Sequence, residues 1–227
     1  RYADAVDCWD VVNEALNGDG SWRESVFYRL LGEEYLITAF RTAAEVDPGA
    51  KLYYNDYNIE RPEKRAGVIR LIQRLRDAGV RIDGVGIQGH WLAGKVPFTD
   101  LEASIEAFSE LGLEVAITEL DLSVLPRSEE GADINVRVNR QETLNPYVNG
   151  MPDSVSHVLA ADYERLFRLL LKHREKISRI TWWGVNDGNS WLNNWPVFGR
   201  TDHPLLFDRA NQPKPAYHRV LAVRTGR

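Results

Sequence analysis

The chain has 227 residues, of which 44% are hydrophobic and 27% are charged, a composition typical of folded proteins and not of disordered or fibrous ones. Its net charge of −5 argues against a nucleic-acid-binding surface, because such surfaces are usually basic. No apolar run approaches the roughly 18 residues that a membrane helix needs. Cys8 is the one cysteine, so neither an internal disulfide nor a cysteine-based zinc cage is expected.

Short apolar runs alternate with amphipathic segments along the whole chain. The apolar runs predict five strands, which cover residues 5–12, 51–57, 82–87, 113–120 and 180–185. A segment with helical spacing follows each strand, and these segments predict helices at residues 33–45, from 62, from 99, around 159–170 and from 215. Residues 126–156 predict a long polar loop before the fourth helix.

This order of strand and helix predicts an α/β fold with parallel strands and right-handed crossovers. Two architectures fit it, a doubly wound sheet of five strands and a piece of a (β/α)₈ barrel. Both place functional groups at the carboxyl ends of the strands. Each predicted strand ends in polar or aromatic residues, namely Asn13-Glu14, Asn55-Asp56-Tyr57-Asn58, Gln88-Gly89-His90-Trp91, Glu119-Leu120-Asp121 and Trp183-Gly184-Val185-Asn186-Asp187. We therefore expect a site there.

Two glutamates on different strands, Glu14 and Glu119, indicate the chemistry of that site. Glycoside hydrolysis needs two carboxyl groups that flank the scissile bond, one as proton donor and one as base or nucleophile. The amide of Asn13 suits a hydrogen bond to a sugar hydroxyl. His90 is suited to orient a carboxylate, although a buried histidine with satisfied hydrogen bonds is an equally common reading. The seven tryptophans fit either a sugar-binding cleft or an indole-rich core.

Other chemistries have weaker support. Residues 84–89 match the dinucleotide motif G-x-G-x-x-G, but these glycines lie within a predicted strand and no helix receives them. The chain has no His-x-x-x-His pair and no carboxylates at metal-ligand spacing, so we expect no metal and no organic cofactor. It also lacks the G-x-S-x-G elbow of many acyl hydrolases.

Five collinear motifs closely resemble glycoside hydrolase family 10, the endo-β-1,4-xylanases. They are Trp9-Asp10-Val11-Val12-Asn13-Glu14, Tyr54-Asn55-Asp56-Tyr57-Asn58, Gly86-Ile87-Gln88-Gly89-His90-Trp91, Ile117-Thr118-Glu119-Leu120-Asp121, and Trp183-Gly184-Val185-Asn186-Asp187 with Ser190-Trp191. The resemblance covers essentially the whole chain. It implies a (β/α)₈ barrel, in which residues 1–227 form a partial catalytic domain with about five βα units that match strands four to eight.

The resemblance implies a retaining endo-hydrolysis of β-1,4-xylosidic bonds by double displacement, with Glu14 as acid/base and Glu119 as nucleophile. Such a pair is expected to stand about 5–5.5 Å apart. Asn13 then contacts the sugar 2-hydroxyl, and His90 hydrogen bonds to the nucleophile with support from Asp121. The remaining substrate-binding residues that the resemblance implies are Gln88, Tyr57 on the leaving-group side, and Trp183 and Trp191 as walls of the subsites nearest the cleaved bond.

The family's first three βα units have no counterpart in this chain. The chain is then expected to be a fragment, the second half of an interrupted gene, or one arc that pairs with a second copy. Its expected partners are xylan or xylo-oligosaccharides and either the missing N-terminal segment or that copy, with no nucleic acid and no membrane. Because half of the substrate grip is absent, we expect weak or no activity from this chain alone. The substrate is extracellular, so we expect the parent enzyme to be secreted or held at the cell envelope.

Three alternatives stay open at this level. The first is another retaining barrel glycosidase that acts on β-glucan or mannan. The second is a xylan-binding fragment or assembly half without turnover, which the presence of both Glu14 and Glu119 disfavours. The third is a doubly wound sheet with a small-molecule ligand.

Overall fold

The computed structural model describes residues 2–3, 5–126 and 142–225, and the chain divides into two compact units. The first unit comprises Arg1–Gln88, Thr99–Thr118 and Glu175–Ile180, and the second comprises Gly89–Phe98, Glu119–Arg174 and Thr181–Arg227. The elements in chain order are β1 (Cys8–Asn13), α1 (Val26–Leu31), α2 (Glu34–Val46), β2 (Lys51–Asp56), α3 (Pro62–Asp77), β3 (Gly84–Ile87), β4 (His90–Leu92), α4 (Phe98–Glu110), β5 (Glu114–Ser123), α5 (Asp153–Lys172), β6 (Ile177–Trp182) and α6 (Pro215–Thr225). Short 3₁₀ turns cover Glu142–Leu144, Asp187–Asn189 and Trp191–Asn193.

The first unit is built on parallel strand pairs. β1 pairs with β2, β2 with β3, and β3 with the beginning of β5, all in parallel, which confirms the predicted pairing. The register sets Asn13 opposite Asn55 and Asp56 opposite Ile87. Because the strands are parallel, their polar carboxyl ends lie along one edge of the sheet.

Two glycines make room for large side chains on β2. A Cβ on Gly84 would lie 2.4 Å from the ring of Tyr53, and a Cβ on Gly86 would lie 2.4 Å from Oδ1 of Asn55. The G-x-G-x-x-G pattern therefore reflects close packing inside a strand, as a glycine within a strand often does.

Two helices of the first unit, α2 and α3, each bury one mainly apolar face. α2 buries Leu36, Ile37 and Phe40, and α3 begins with Pro62 in its first turn and ends before Gly79, which has a φ of +67°. Proline is well tolerated at the first helical position and glycine just beyond the last. These helices therefore begin and end close to where the sequence predicts.

In the second unit, β4 pairs in parallel with the end of β5, with His90 opposite Asp121. α5 packs its buried face beside Trp182, whose indole lies 5.1 Å from the ring of Tyr163 and stacks on Phe167 at 5.7 Å. The Tyr163 hydroxyl donates to the carbonyl of Pro204 at 2.6 Å. A buried phenol with a satisfied hydroxyl can serve as a core residue.

The structure corrects several predicted boundaries. β5 runs to Ser123, beyond the predicted end at residue 120, because β4 extends the ladder there. The last strand covers Ile177–Trp182 and not residues 180–185, so Trp183 follows the strand. α5 begins at Asp153, inside the predicted loop of 126–156, and residues 127–141 of that loop lie outside the described residues. α1 was not predicted, and its six residues bury no side chain fully.

Among the described residues, β1 has β2 as its one strand partner. An apolar groove of about 540 Å³ lies beside β1 and α2, and it is lined mainly by Trp9, Val11, Ala39, Ala43 and Val46. Apolar surface of this kind is expected beside a strand that has a partner on one side only. Of the helices in the described ranges, none combines the length and the apolar character needed to cross a membrane.

One backbone contact ties the loop after β1 to α3, and it gives a testable prediction. A Cβ on Gly67 would lie 2.6 Å from the oxygen and 2.7 Å from the Cα of Gly20. We expect Gly67→Ala to lower the free energy of unfolding by about 1–3 kcal/mol through overpacking, although alanine favours a helix. Urea denaturation measures this change.

The matched control is Gly49→Ala, since a Cβ there meets nothing within 4 Å. We expect that variant to stay within about 0.5 kcal/mol of the unaltered protein. Equal stability of the two variants would contradict the contact's importance.

Candidate active site

Glu14 lies directly after β1 in an uncommon backbone conformation. Its φ is +56°, in the left-handed region that non-glycine residues seldom adopt. The Glu14 N–H donates to the carbonyl of Asn55 at 2.9 Å, and the next N–H, of Ala15, donates to the Tyr54 hydroxyl at 3.1 Å. Strained residues of this kind cluster at functional sites because the surrounding structure must hold them.

Neighbouring donors fix the Glu14 carboxyl group and the Asn13 amide. Gln88 Nε2 donates to Glu14 Oε1 at 3.1 Å, and an Arg23 guanidinium nitrogen donates to Oε2 at 3.0 Å. The Asn13 amide oxygen accepts from Asn55 at 2.9 Å and from Gln88 at 3.3 Å. The structure thus brings together three predicted residues of the first unit, Asn13, Glu14 and Gln88.

In the second unit, a series of hydrogen-bonded side chains ends at Glu119. His90 Nε2 lies 3.2 Å from Glu119 Oε2, and His90 Nδ1 lies 2.9 Å from Asp121 Oδ1. The other oxygen of Asp121 accepts from the indole N–H of Trp191 at 2.8 Å. The predicted contacts of His90 with Glu119 and Asp121 are therefore present. A family model described as "Glycosyl hydrolase family 10" matches residues 1–223.

The chain belongs to glycosyl hydrolase family 10. The endo-1,4-beta-xylanase A of Xylanibacter ruminicola is 42% identical to this family 10 chain over 225 residues, which are 98% of the chain and 61% of that relative. The chain thus spans about three fifths of the length of this curated relative. That share fits the C-terminal portion that the resemblance implies.

Solved structures give the same picture of this family 10 chain. A family 10 endoxylanase retrieved from a sugarcane soil metagenome superposes with a TM-score of 0.92 at 43% identity, covering 99% of this chain and 64% of that one. A mutant structure in complex with xylotriose superposes with a TM-score of 0.83 at 37% identity, covering 97% and 64%. The predicted fold class, a (β/α)₈ barrel type of which this chain holds only a part, is confirmed.

The three predicted aromatic residues of the family 10 chain differ from one another in exposure and in contacts. Trp183 is 45% exposed and meets His90 edge-on at 6.4 Å, while Trp191 lies 5.0 Å from His90. Tyr57 is half-buried, and its ring lies beneath the ammonium group of Lys64, 3.8 Å from the ring centroid. Trp183 thus keeps nearly half of its surface exposed, whereas the indole N–H of Trp191 donates to Asp121.

Sequence reasoning missed two residues that shape the site. Arg23 lies in the loop after β1, and no spacing rule links it to Glu14, so its ion pair became visible only in three dimensions. Asn55 stands at a predicted strand end, but the sequence alone suggests no role for it. Its side chain donates to Asn13 and accepts from the Thr118 hydroxyl at 2.6 Å, and its strand-end position was the signal for it.

The surroundings of His90 favour its charged form. Burial lowers the pKa of His90, but Asp121 and Glu119 outweigh burial and together raise that pKa to about 9. At neutral pH both ring nitrogens therefore carry protons, and His90 donates to both carboxylates. This cation is buried, and its charge is balanced by the two acidic neighbours.

The raised pKa of His90 predicts how stability changes with pH. An unfolded histidine has a pKa of about 6.5, so the stability that charged His90 adds is full below that pH and is lost as the pH rises through about 9. We expect the melting temperature to fall over this window, and His90→Gln to remove most of that fall. Thermal unfolding at a series of pH values tests this.

His157→Gln is the control, because His157 is largely accessible to solvent and its loss should leave the pH dependence intact. An NMR titration that placed the pKa of His90 near the ordinary histidine value would refute the expectation.

Proposed function

We propose that this chain carries the catalytic carboxyl groups of a retaining endo-β-1,4-xylanase. Family membership and the xylanase names of its relatives support the reaction class. The observation that carries the proposal is that two glutamates, Glu14 directly after β1 and Glu119 within β5, each accept hydrogen bonds from neighbouring side chains. The chain spans about three fifths of the length of this curated relative. We therefore make the proposal for the protein as it is naturally produced.

In the proposed mechanism, the Glu119 carboxylate attacks the anomeric carbon while Glu14 gives its proton to the leaving glycosidic oxygen. The covalent glycosyl-enzyme formed at Glu119 is then hydrolysed by a water molecule that Glu14, now a base, deprotonates. Each of the two displacements inverts the configuration at the anomeric carbon, so the product retains the configuration of the substrate.

The hydrogen bonds of each carboxyl group suit its proposed role. Charged His90 donates to Glu119, which orients a carboxylate that must attack one carbon atom. Asp121 and Trp191 in turn fix the His90 ring, as outer partners commonly do for a functional group. Gln88, a neutral donor, and Arg23 orient the Glu14 carboxyl group.

The proposed substrate is a β-1,4-linked xylose chain. A solved family relative binds xylotriose, and the half-exposed indole of Trp183 offers an apolar face on which a sugar ring could stack. Gln88 and Asn55 set the orientation of the Asn13 amide, which suits it to meet a sugar hydroxyl.

Removal of each carboxyl group should have a distinct kinetic effect. We expect Glu119→Ala to abolish cleavage of every substrate. We expect Glu14→Ala to lower kcat/KM on xylohexaose by about 10²–10⁴-fold, but to affect an aryl xylobioside much less when its leaving group needs no proton. Reducing-sugar release and initial rates on the two substrates measure these effects, and NMR of the first product should show retained configuration.

Glu114→Ala is the control, because Glu114 lies on the same strand as Glu119 but pairs with Lys51 and Tyr53. It should leave activity unchanged. Inverted product would overturn the mechanism, and faster hydrolysis of a β-glucan than of xylan would overturn the substrate.

A further inference from the structure

A buried ion pair lies behind Glu14, and the proposed reaction does not use it. Lys64 and Asp56 are both fully buried, and Lys64 Nζ lies 2.7 Å from Asp56 Oδ1. The backbone N–H of Tyr57 donates to the same oxygen at 2.8 Å. Burial of two charges costs free energy unless the ions pair closely and form further hydrogen bonds. A pair at this depth is therefore held by its surroundings.

The pair continues through Tyr54, whose hydroxyl is also fully buried. The hydroxyl donates to the second oxygen of Asp56 at 2.5 Å. A phenol has one proton, so this bond leaves its oxygen to act as an acceptor, and the N–H of Ala15 donates to it at 3.1 Å. Burial and the nearby Asp56 raise the pKa of Tyr54 well above its ordinary value, so the proton stays in place.

This series of hydrogen bonds ends at the peptide group between Glu14 and Ala15. Glu14 has a φ of +56°, and a left-handed backbone at a residue other than glycine persists only where its surroundings hold it. Two successive N–H groups are held here, that of Glu14 by the Asn55 carbonyl and that of Ala15 by Tyr54. The second holder is a side chain, and it can be altered without changing the backbone of β2.

We propose that Tyr54, oriented by the buried Asp56–Lys64 pair, is a positioning residue that holds the left-handed backbone at Glu14 and so directs the Glu14 carboxyl group at the leaving-group oxygen. This inference rests on the proposed function, since it assumes that Glu14 is the acid/base. Tyr54 touches no reacting atom, and it acts through the peptide between Glu14 and Ala15.

Tyr54→Phe tests the proposal in the protein as it is naturally produced. Tyr53→Phe is the matched control, because Tyr53 is the preceding residue on β2, is equally buried, and bonds through its hydroxyl to Glu114 and Ser178. We expect Tyr54→Phe to lower kcat/KM on xylohexaose by about 10–100-fold, as misplacement of a catalytic group does. On an aryl xylobioside with an activated leaving group, we expect a much smaller loss.

A general loss of stability would not produce this dependence on the leaving group. The proposal fails if Tyr54→Phe lowers both rates by the same factor, or if Tyr53→Phe reproduces the pattern. Glu14→Ala is run beside them. If Glu14→Ala lacks the leaving-group dependence, the proposed function fails, whereas its presence there and absence in Tyr54→Phe overturns the positioning role alone.

Asp56→Asn gives a second route if Tyr54→Phe does not fold. The new amide should turn its oxygen to Lys64 and its NH₂ to Tyr54, which drives the hydroxyl proton toward the Ala15 N–H and removes the acceptor. We expect the same leaving-group dependence from this variant, and a uniform loss would count against the proposal.

A crystal structure of whichever variant folds provides a readout that needs no activity. We expect the φ of Glu14 to leave the left-handed region, or its bonds from Gln88 and Arg23 to be lost. An unchanged Glu14 would refute the positioning role whatever the kinetics show.

Discussion

A charge buried away from water must be met by an opposite charge and by hydrogen bonds, and both units of this chain are organised around such groups. In the first unit, Lys64, Asp56 and Tyr54 form a buried series that ends at the peptide beside Glu14. In the second, Trp191, Asp121 and His90 form a series that ends at Glu119. Each series satisfies its own buried groups and also restricts a glutamate, so the same bonds serve stability and orientation.

The buried series of the first unit is surrounded by tight backbone packing. Gly84 and Gly86 leave space on β3 for Tyr53 and Asn55, and Asn55 then reaches both Asn13 and Thr118. A larger residue at either glycine would press on β2, the strand that also carries Tyr54 and Asp56. The loop after β1 is held in a comparable way, by the approach of its backbone to α3, and the same loop supplies Arg23 to Glu14.

The order of the strands could be predicted from the sequence, and with it the residues that meet at the strand ends. Contacts between side chains that are distant in the sequence could not be predicted. Parallel strands place their carboxyl ends at one edge, so the alternation of strand and helix was enough to group Asn13, Glu14 and Gln88. The pairing of His90 with Glu119 was implied by the family resemblance. Lys64 gave no such signal, because a lysine in an amphipathic helix is usually solvated, and its full burial depends on how α3 sits on β2. The last strand was misplaced by three residues because an apolar run at 180–185 continues past the residues that pair.

The two glutamates are held by different physical means. Glu119 lies within β5, which gives it an extended backbone, and a charged imidazole orients its carboxylate. Glu14 follows the end of a strand in a conformation that its own chain disfavours, so its place depends on bonds supplied by β2. The proposed nucleophile attacks a single carbon atom, so a fixed position within a strand suits it. The proposed acid/base gives a proton to the leaving oxygen and later takes one from water, so its carboxyl group must serve two oxygen atoms. A position fixed at the peptide, with the carboxyl group held by exchangeable donors such as Gln88 and Arg23, can accommodate both steps.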